Sequence, residues 1–228
     1  MPTVMITGAN RGIGLELTRQ YAKDGWTVIA TCRNIISPGE IATIQGDVRV
    51  YSLEVTHPRE IERLVADLKD TKINLLINNA GFYGDRNTGS TDIDVADWEK
   101  SFRINTIAPL MVSSAFIDNI ASGEGGMIAT ISSVLASIAE SSPNSASYAY
   151  RTSKAAVNMA MHVFAEEVRP REVPVILLHP GWVQTDMGGP NAAIDAATSA
   201  AGIRNVLAQS GMAETGRLFA YDGREIPW

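Results

Sequence analysis

The chain has a single cysteine, Cys32, so no disulfide can form within it. That suits a reducing compartment, and the expected location is the cytoplasm. Three histidines, His57, His162 and His179, stand at no metal-ligand spacing, so no metal site is expected. No apolar run reaches the ~18 residues of a membrane-spanning helix. The start, Met-Pro-Thr-Val-Met-Ile-Thr-Gly, has no positive n-region and enters a strand-like run directly, so no signal peptide is expected. Basic residues form no cluster or stripe, and the net charge is -6. Nucleic acid and anionic membrane surfaces are therefore not expected as partners. There is no low-complexity tract, no internal repeat and no linker, so one domain should span residues 1–228.

What is present is a large apolar fraction, 45%, arranged in two alternating patterns. Short β-rich apolar runs lie at 3–7, 26–32, 48–53, 73–78, 126–132, 173–179 and 217–221. Helix-period stretches lie between most of them, at 12–24, 58–69, 94–122, 147–169 and 192–209. Strands alternating with amphipathic helices read as an α/β fold. Right-handed crossovers then give a doubly wound parallel sheet of seven strands with helices on both faces. The irregular stretches 34–46, 82–91, 137–145 and 187–191 hold the candidate ligand loops.

Tyr150 and Lys154 stand four apart at the head of a long helical stretch. Residues at that spacing share one helix face. A free phenol ionises near pH ~10. A nearby ammonium favours the phenolate and lowers that value. A tyrosine tuned in this way can act as a general acid or base. Tyr148 competes for the role, but at ~100° per residue it faces away from Lys154.

The first strand ends in Thr7-Gly8-Ala9-Asn10-Arg11-Gly12-Ile13-Gly14 and opens into a helix. Gly8 permits a tight turn, Gly12 lets the backbone approach a diphosphate, and Gly14 allows close helix packing. Free N–H groups at the helix start favour a phosphate. Strand 2 ends without the acid that usually binds an NAD ribose; Arg33 follows it, and Arg11 lies in the glycine loop. Two guanidinium groups suit a ribose 2′-phosphate, so NADP(H) is expected over NAD(H).

Together these segments resemble the short-chain dehydrogenase/reductase family, nearly end to end. Asn78-Asn79-Ala80-Gly81 is similar to the motif that runs along the cofactor after strand 4. Pro180-Gly181-Trp-Val183-Gln-Thr185 resembles the turn that closes over the nicotinamide. The resemblance implies a Rossmann-type fold. It also implies a catalytic set of Ser133, Tyr150, Lys154 and Asn105, the last supporting a proton-relay water. The implied cofactor contacts are Gly8, Asn10, Arg11, Gly12, Ile13, Gly14, Arg33, Glu54, Val55, Asn79, Ala80 and Gly81, then Tyr150, Lys154, Pro180, Gly181, Val183 and Thr185.

Three departures stand out. Ser133 precedes Tyr150 by seventeen positions, more than the family's usual interval, so Ser132 and Ser137 are alternatives. Glu54 stands where the family usually has an aspartate at the adenine. Asn74 replaces a common aspartate, leaving the buttress beside strand 4 open. Within the family the likeness is to C-factor and sniffer-type carbonyl reductases, carried by residues 148–156, 179–189 and 221–228. Relatives of this type are NADPH-dependent carbonyl reductases, and some are described as developmental signalling proteins. The expected activity is reduction of an aldehyde, ketone or quinone, with Tyr150 as acid. A regulatory protein that only binds the nucleotide is the alternative.

The expected substrate pocket combines residues 134–140, 82–85, Trp182 and 187–199. Gly188-Gly189-Pro190 reads as a lid hinge or as an ordinary turn. Trp182 reads as packing or as substrate contact. Broad apolar surfaces on 94–122 and 147–169 suggest a homodimer, as is common in the family, or a monomer with a wide buried face.

Overall fold

The computed structural model describes residues 1–84, 90–123, 125–141 and 146–228. The order of elements begins β1 (Thr3–Ile6), α1 (Gly12–Lys23), β2 (Thr27–Cys32), β3 (Val48–Ser52), α2 (Pro58–Asp67) and β4 (Leu75–Asn78). After β4 come α3 (Val95–Phe102), α4 (Ala108–Ala115), α5 (Ile117–Ala121) and β5 (Met127–Ile131). The chain ends with α6 (Tyr148–Glu167), β6 (Val175–His179), α7 (Ala196–Gln209) and β7 (Leu218–Ala220). The strands form one sheet of seven in the order β3-β2-β1-β4-β5-β6-β7. Every pairing is parallel, as the alternating pattern anticipated.

Side chains alternate across each strand, so one sheet feeds two cores. Met5, Ile29, Leu76, Ile128 and Leu177 enter a core with Phe116 and the α6 residues Val157, Met161 and Phe164. Val4, Ile6, Val28, Ile77 and Leu178 enter the other, closed by Leu15 and Leu17 of α1 and Ile203 of α7. Both faces are covered, which is why the strands carry near-continuous Val, Ile and Leu.

Two helix expectations need correction. The stretch 94–122 is not one helix. Asp94 caps its start, accepting from the Asp97 N–H at 3.1 Å. After α3 the backbone widens into a π turn over Arg103–Ile107, with the Ala108 N–H bonded to the Arg103 carbonyl. Pro109 supplies the reason: it has no N–H for the Asn105 carbonyl four residues back, and its ring crowds that carbonyl. A second break at Phe116 separates α4 from α5. The other correction is at α7, which begins at Ala196 rather than 192. Asp195 caps it, taking the Thr198 N–H at 2.7 Å.

β4 and β1 are neighbours, and the loops after them meet. The loops after β5 and β6 are likewise adjacent. Ligand loops and the head of α6 thus gather at the carboxyl ends of the strands.

Candidate active site

The glycine loop is built to leave backbone exposed. Gly8 and Gly12 have φ of 64° and 53°, a left-handed region that disfavours other residues. A Cβ on Gly14 would lie 2.4 Å from Asn79 Nδ2 and 2.5 Å from the Gly8 carbonyl. Asn79 explains that crowding. Its Nδ2 donates to the Thr7 and Gly8 carbonyls at 2.9 and 3.0 Å. The N–H groups of Asn79 and Ala80 donate to Thr7 Oγ1 at 3.0 and 3.1 Å. The Asn-Asn-Ala-Gly segment therefore stitches β4 to the glycine turn. Asn74 keeps its buttress: Oδ1 accepts from the Thr3 N–H at 2.9 Å.

The two arginines flank this cradle. Arg11, just before α1, pairs with Asp186 at 3.0 Å, and both are exposed. Arg33 is exposed after β2, with Glu54 Oε2 4.0 Å away. Glu54 uses its other oxygen to accept from the Thr56 N–H and hydroxyl at 3.2 and 3.0 Å. Glu54 is thus already partly engaged by the protein. Val55 is buried, Ile13 is half-buried against the α1 side core, and Asn10 is exposed.

The turn after β6 closes on the same region. A Cβ on Gly12 would lie 3.1 Å from Thr185 Cγ2, so Thr185 sits against the glycine loop. Gly181 has φ of 87°, and the Pro180 carbonyl accepts from the Ser199 hydroxyl at 2.6 Å. Val183 is buried and bridges to Ile194. Gly188 donates to Thr185 Oγ1 at 3.1 Å, and Gly189 donates to the Thr185 carbonyl at 2.8 Å. A Cβ on Gly188 would overlap the Val183 carbonyl. Gly188-Gly189 is thus a bonded turn, and Trp182 lies exposed on it, its indole N–H on the Gly188 carbonyl at 2.9 Å.

Beside the cradle, α6 presents Tyr150 and Lys154 on one buried face, 8% and 4% exposed. The Ser133 side chain faces the Tyr150 phenol and favours its ionised form. Ser133 Oγ also accepts from the Leu135 N–H at 3.1 Å. The alternatives are spent elsewhere. Ser132 donates to buried Asn158 Oδ1 at 2.5 Å, and Ser137 Oγ accepts from the Glu140 N–H at 3.1 Å. Tyr148 is exposed, its ring 6.5 Å from that of Trp98.

Lys154 departs from expectation. Its Nζ donates to the Ile131 carbonyl at 2.7 Å and lies 5.8 Å from the Tyr150 ring centroid. Burial lowers the Lys154 pKa from 10.5 to about 8. The phenol is not acidified in this state. Burial raises its pKa, Ser133 opposes the rise, and Tyr83 adds to it. Desolvation of the anion outweighs the distant ammonium.

Asn105 is fully buried beneath them. Its amide donates to the Phe82 carbonyl at 2.8 Å and Ser153 Oγ at 3.0 Å, while Oδ1 accepts from the Phe82 N–H at 2.8 Å. Both amide hydrogens are used, so the side chain has none to give a water. Pro109 removes the N–H that an α-helix would aim at the Asn105 main-chain carbonyl. A Cβ on Gly81 would lie 3.6 Å from Asn105 Oδ1 and 3.9 Å from Lys154 Nζ, which places all three together.

One neighbour was not singled out from sequence. Tyr83 stacks on Tyr150, with centroids 4.2 Å apart and planes inclined 30°. An aromatic residue two places after Gly81 was its one sequence signal. Of the expected pocket, Asp85 lies outside the described residues.

The family model for short chain dehydrogenases matches residues 2–195. The chain belongs to the short-chain dehydrogenase family. This dehydrogenase is 42% identical over 156 residues to C-signal of Myxococcus xanthus, covering 68% of this chain and 93% of that protein. Its fold matches the carbonyl reductase Sniffer of D. melanogaster with a TM-score of 0.92 and 30% identity, over 100% of both chains. It also matches an NADPH-bound carbonyl reductase from chicken fatty liver, TM-score 0.89 and 31% identity, over 100% of this chain and 99% of that one. As a short-chain dehydrogenase it is an oxidoreductase by family. Its glycine cradle fits a dinucleotide: two turns adopt φ values only glycine takes readily, and both Arg11 and Arg33 are exposed. Among the described residues, no helix is long and apolar enough to cross a membrane.

Proposed function

We propose that the chain is an NADPH-dependent carbonyl reductase acting on a small aldehyde, ketone or quinone. The observation that carries this reading is the buried cluster of Ser133, Tyr150 and Lys154 at the end of β5, with Ser133 facing the phenol. A protein that only binds a nucleotide has no need of a buried phenol there. The likeness to C-signal supports a second reading, a regulatory protein that binds the cofactor without turnover.

In the proposed complex, Gly8, Gly12 and Gly14 receive the diphosphate, with Asn10, Arg11 and Ile13 around it. Arg33, Glu54 and Val55 line the adenosine end, and Asn79, Ala80 and Gly81 the channel between. Pro180, Gly181, Val183 and Thr185 cover the nicotinamide end. Bound NADPH supplies a hydride. Ser133 donates a hydrogen bond to the carbonyl oxygen as negative charge builds there. Tyr150 gives that oxygen a proton. Burial raises its pKa, so in the cofactor-free protein the phenol is protonated at neutral pH, the form an acid requires. Lys154 holds the ribose hydroxyls and, once turned from Ile131, feeds the proton relay. The Asn105 carbonyl supports the relay water.

Arg33 carries the preference for NADPH. Its nearest anion, Glu54, is 4.0 Å away, too far for a good hydrogen bond, so a 2′-phosphate can outcompete it. Arg33→Ala should weaken NADPH binding by about 1.5–3 kcal/mol and barely touch NADH. Calorimetric titration with both cofactors checks this, and equal losses would refute the assignment.

We also propose a homodimer, through the face where α6 exposes Tyr148, Met159 and Val163 and the π turn exposes Ile107. Sedimentation velocity should show a two-chain species at micromolar concentration. A single-chain mass throughout would refute it.

A further inference from the structure

Tyr83 lies in the stretch 82–85 expected to line the pocket, and the chemistry above gives it no part. It leaves the loop after β4 and lays its ring over Tyr150, centroids 4.2 Å apart. Its hydroxyl lies 3.1 Å from Ser147 Oγ. Ser147 is the residue immediately before α6, and it is buried with φ 72° and ψ 49°. A non-glycine residue holds that left-handed conformation only where its surroundings impose it. The Ser147 hydroxyl makes no capping bond to its own helix, and it faces Tyr83 instead. The ring and the entry to the helix bearing Tyr150 are therefore fixed to each other.

Sheet order then assigns the sides. β4, which leads to Tyr83, flanks β5 on one edge, and β6, which leads to Trp182 and Met187, flanks it on the other. Ser133 follows β5 between them. Trp182 and Met187 are exposed apolar groups, whereas the Tyr83 side is filled by its ring.

We infer that Tyr83 is a positioning and specificity-determining residue that shields one face of the Tyr150 phenol and directs the bulkier arm of a ketone toward Trp182 and Met187. This rests on the reading of Tyr150 as the proton donor. The shield itself is a property of the cofactor-free protein. Among the described residues, the groups facing the phenol are Ser133, Tyr83 and, farther off, Lys154. Removing the Tyr83 ring admits water to the phenol, which then ionises at lower pH. A phenylalanine keeps the cover and loses the tie to Ser147.

Two measurements test this. The first is a phenolate absorbance titration of the cofactor-free protein, with Tyr150 assigned by subtracting a Tyr150→Phe background. Tyr83→Ala should move the Tyr150 ionisation to lower pH, and Tyr83→Phe should leave it near wild type. An unmoved titration in Tyr83→Ala overturns the shield, whether or not the protein turns over any substrate. The second uses the ketone with unequal arms that wild type reduces fastest in an aryl alkyl ketone series. Tyr83→Ala should lower the enantiomer ratio of the alcohol by about tenfold, the scale of apolar discrimination, and Tyr83→Phe should restore it. An unchanged ratio in Tyr83→Ala overturns the specificity role. Absence of all wild-type turnover would instead sink the carbonyl-reductase reading and the specificity role with it, while the titration still judges the shield.

Discussion

Tyr150→Phe abolishes nearly all carbonyl turnover and leaves NADPH affinity close to wild type. The substitution keeps the ring, its buried volume and its stacking on Tyr83, and deletes only the hydroxyl that meets Ser133. Loss of a positioned general acid costs typically ~10²–10⁴-fold in rate. The glycine cradle, Thr185 and both arginines are untouched, so the cofactor keeps its contacts. Steady-state kinetics with a fluorescence titration of NADPH separates the two effects. Turnover within a factor of ten of wild type would remove Tyr150 from the mechanism, and a parallel loss of NADPH affinity would make its role one of binding.

Lys154→Met should also silence turnover, yet make the cofactor-free protein more stable at neutral pH. The buried ammonium has one described hydrogen bond, to the Ile131 carbonyl. Its pKa falls from 10.5 to about 8 because burial penalises the charge. That difference corresponds to roughly 3 kcal/mol of burial cost, an upper bound for one group. Below pH 8 both folded and unfolded chains carry the proton, and the folded state bears the whole cost. Between pH 8 and 10.5 the unfolded chain binds the proton more often, so stability rises with pH. Tyr150 acts in the opposite sense. Its raised pKa makes the folded state hold a proton that the unfolded chain releases above pH 10, so stability falls there. Wild type should therefore gain stability from about pH 8 toward 10 through this lysine and then lose it. Lys154→Met should melt several degrees higher at pH 7, at roughly 2–4 °C per kcal/mol, and lack the rise above pH 8. A lower melting temperature at neutral pH would mean that the Ile131 contact outweighs the burial cost.

The fold was legible because β-strand and helix periods alternate along most of the chain, and a sheet covered on both sides needs continuous apolar strands. The glycine cradle and the α6 face were legible because turn geometry and four-residue spacing are local properties. What was not legible depends on partners far away in the chain. The break at Arg103–Ile107 follows from Pro109, a local signal overlooked inside a long apolar pattern. Ser133 was ambiguous in sequence. Asn158, twenty-six positions away, engages Ser132, a contact the sequence does not show. The acidifying influence of Lys154 on Tyr150 was inferred from spacing alone. Spacing puts both on one face, but it is silent on burial, and burial reverses the sign of the phenol's shift in the cofactor-free state. Tyr83 meets Tyr150 across sixty-seven positions, and no periodicity could show that stack.

The central claim is that the buried phenol and its serine serve chemistry rather than binding alone. Product analysis of the wild-type protein, incubated with NADPH and a panel of aldehydes, ketones and quinones, tests it most directly. The expected result is alcohol or hydroquinone formed mole for mole with NADPH consumed. Tight NADPH binding with no reduced product from any member of the panel would contradict it.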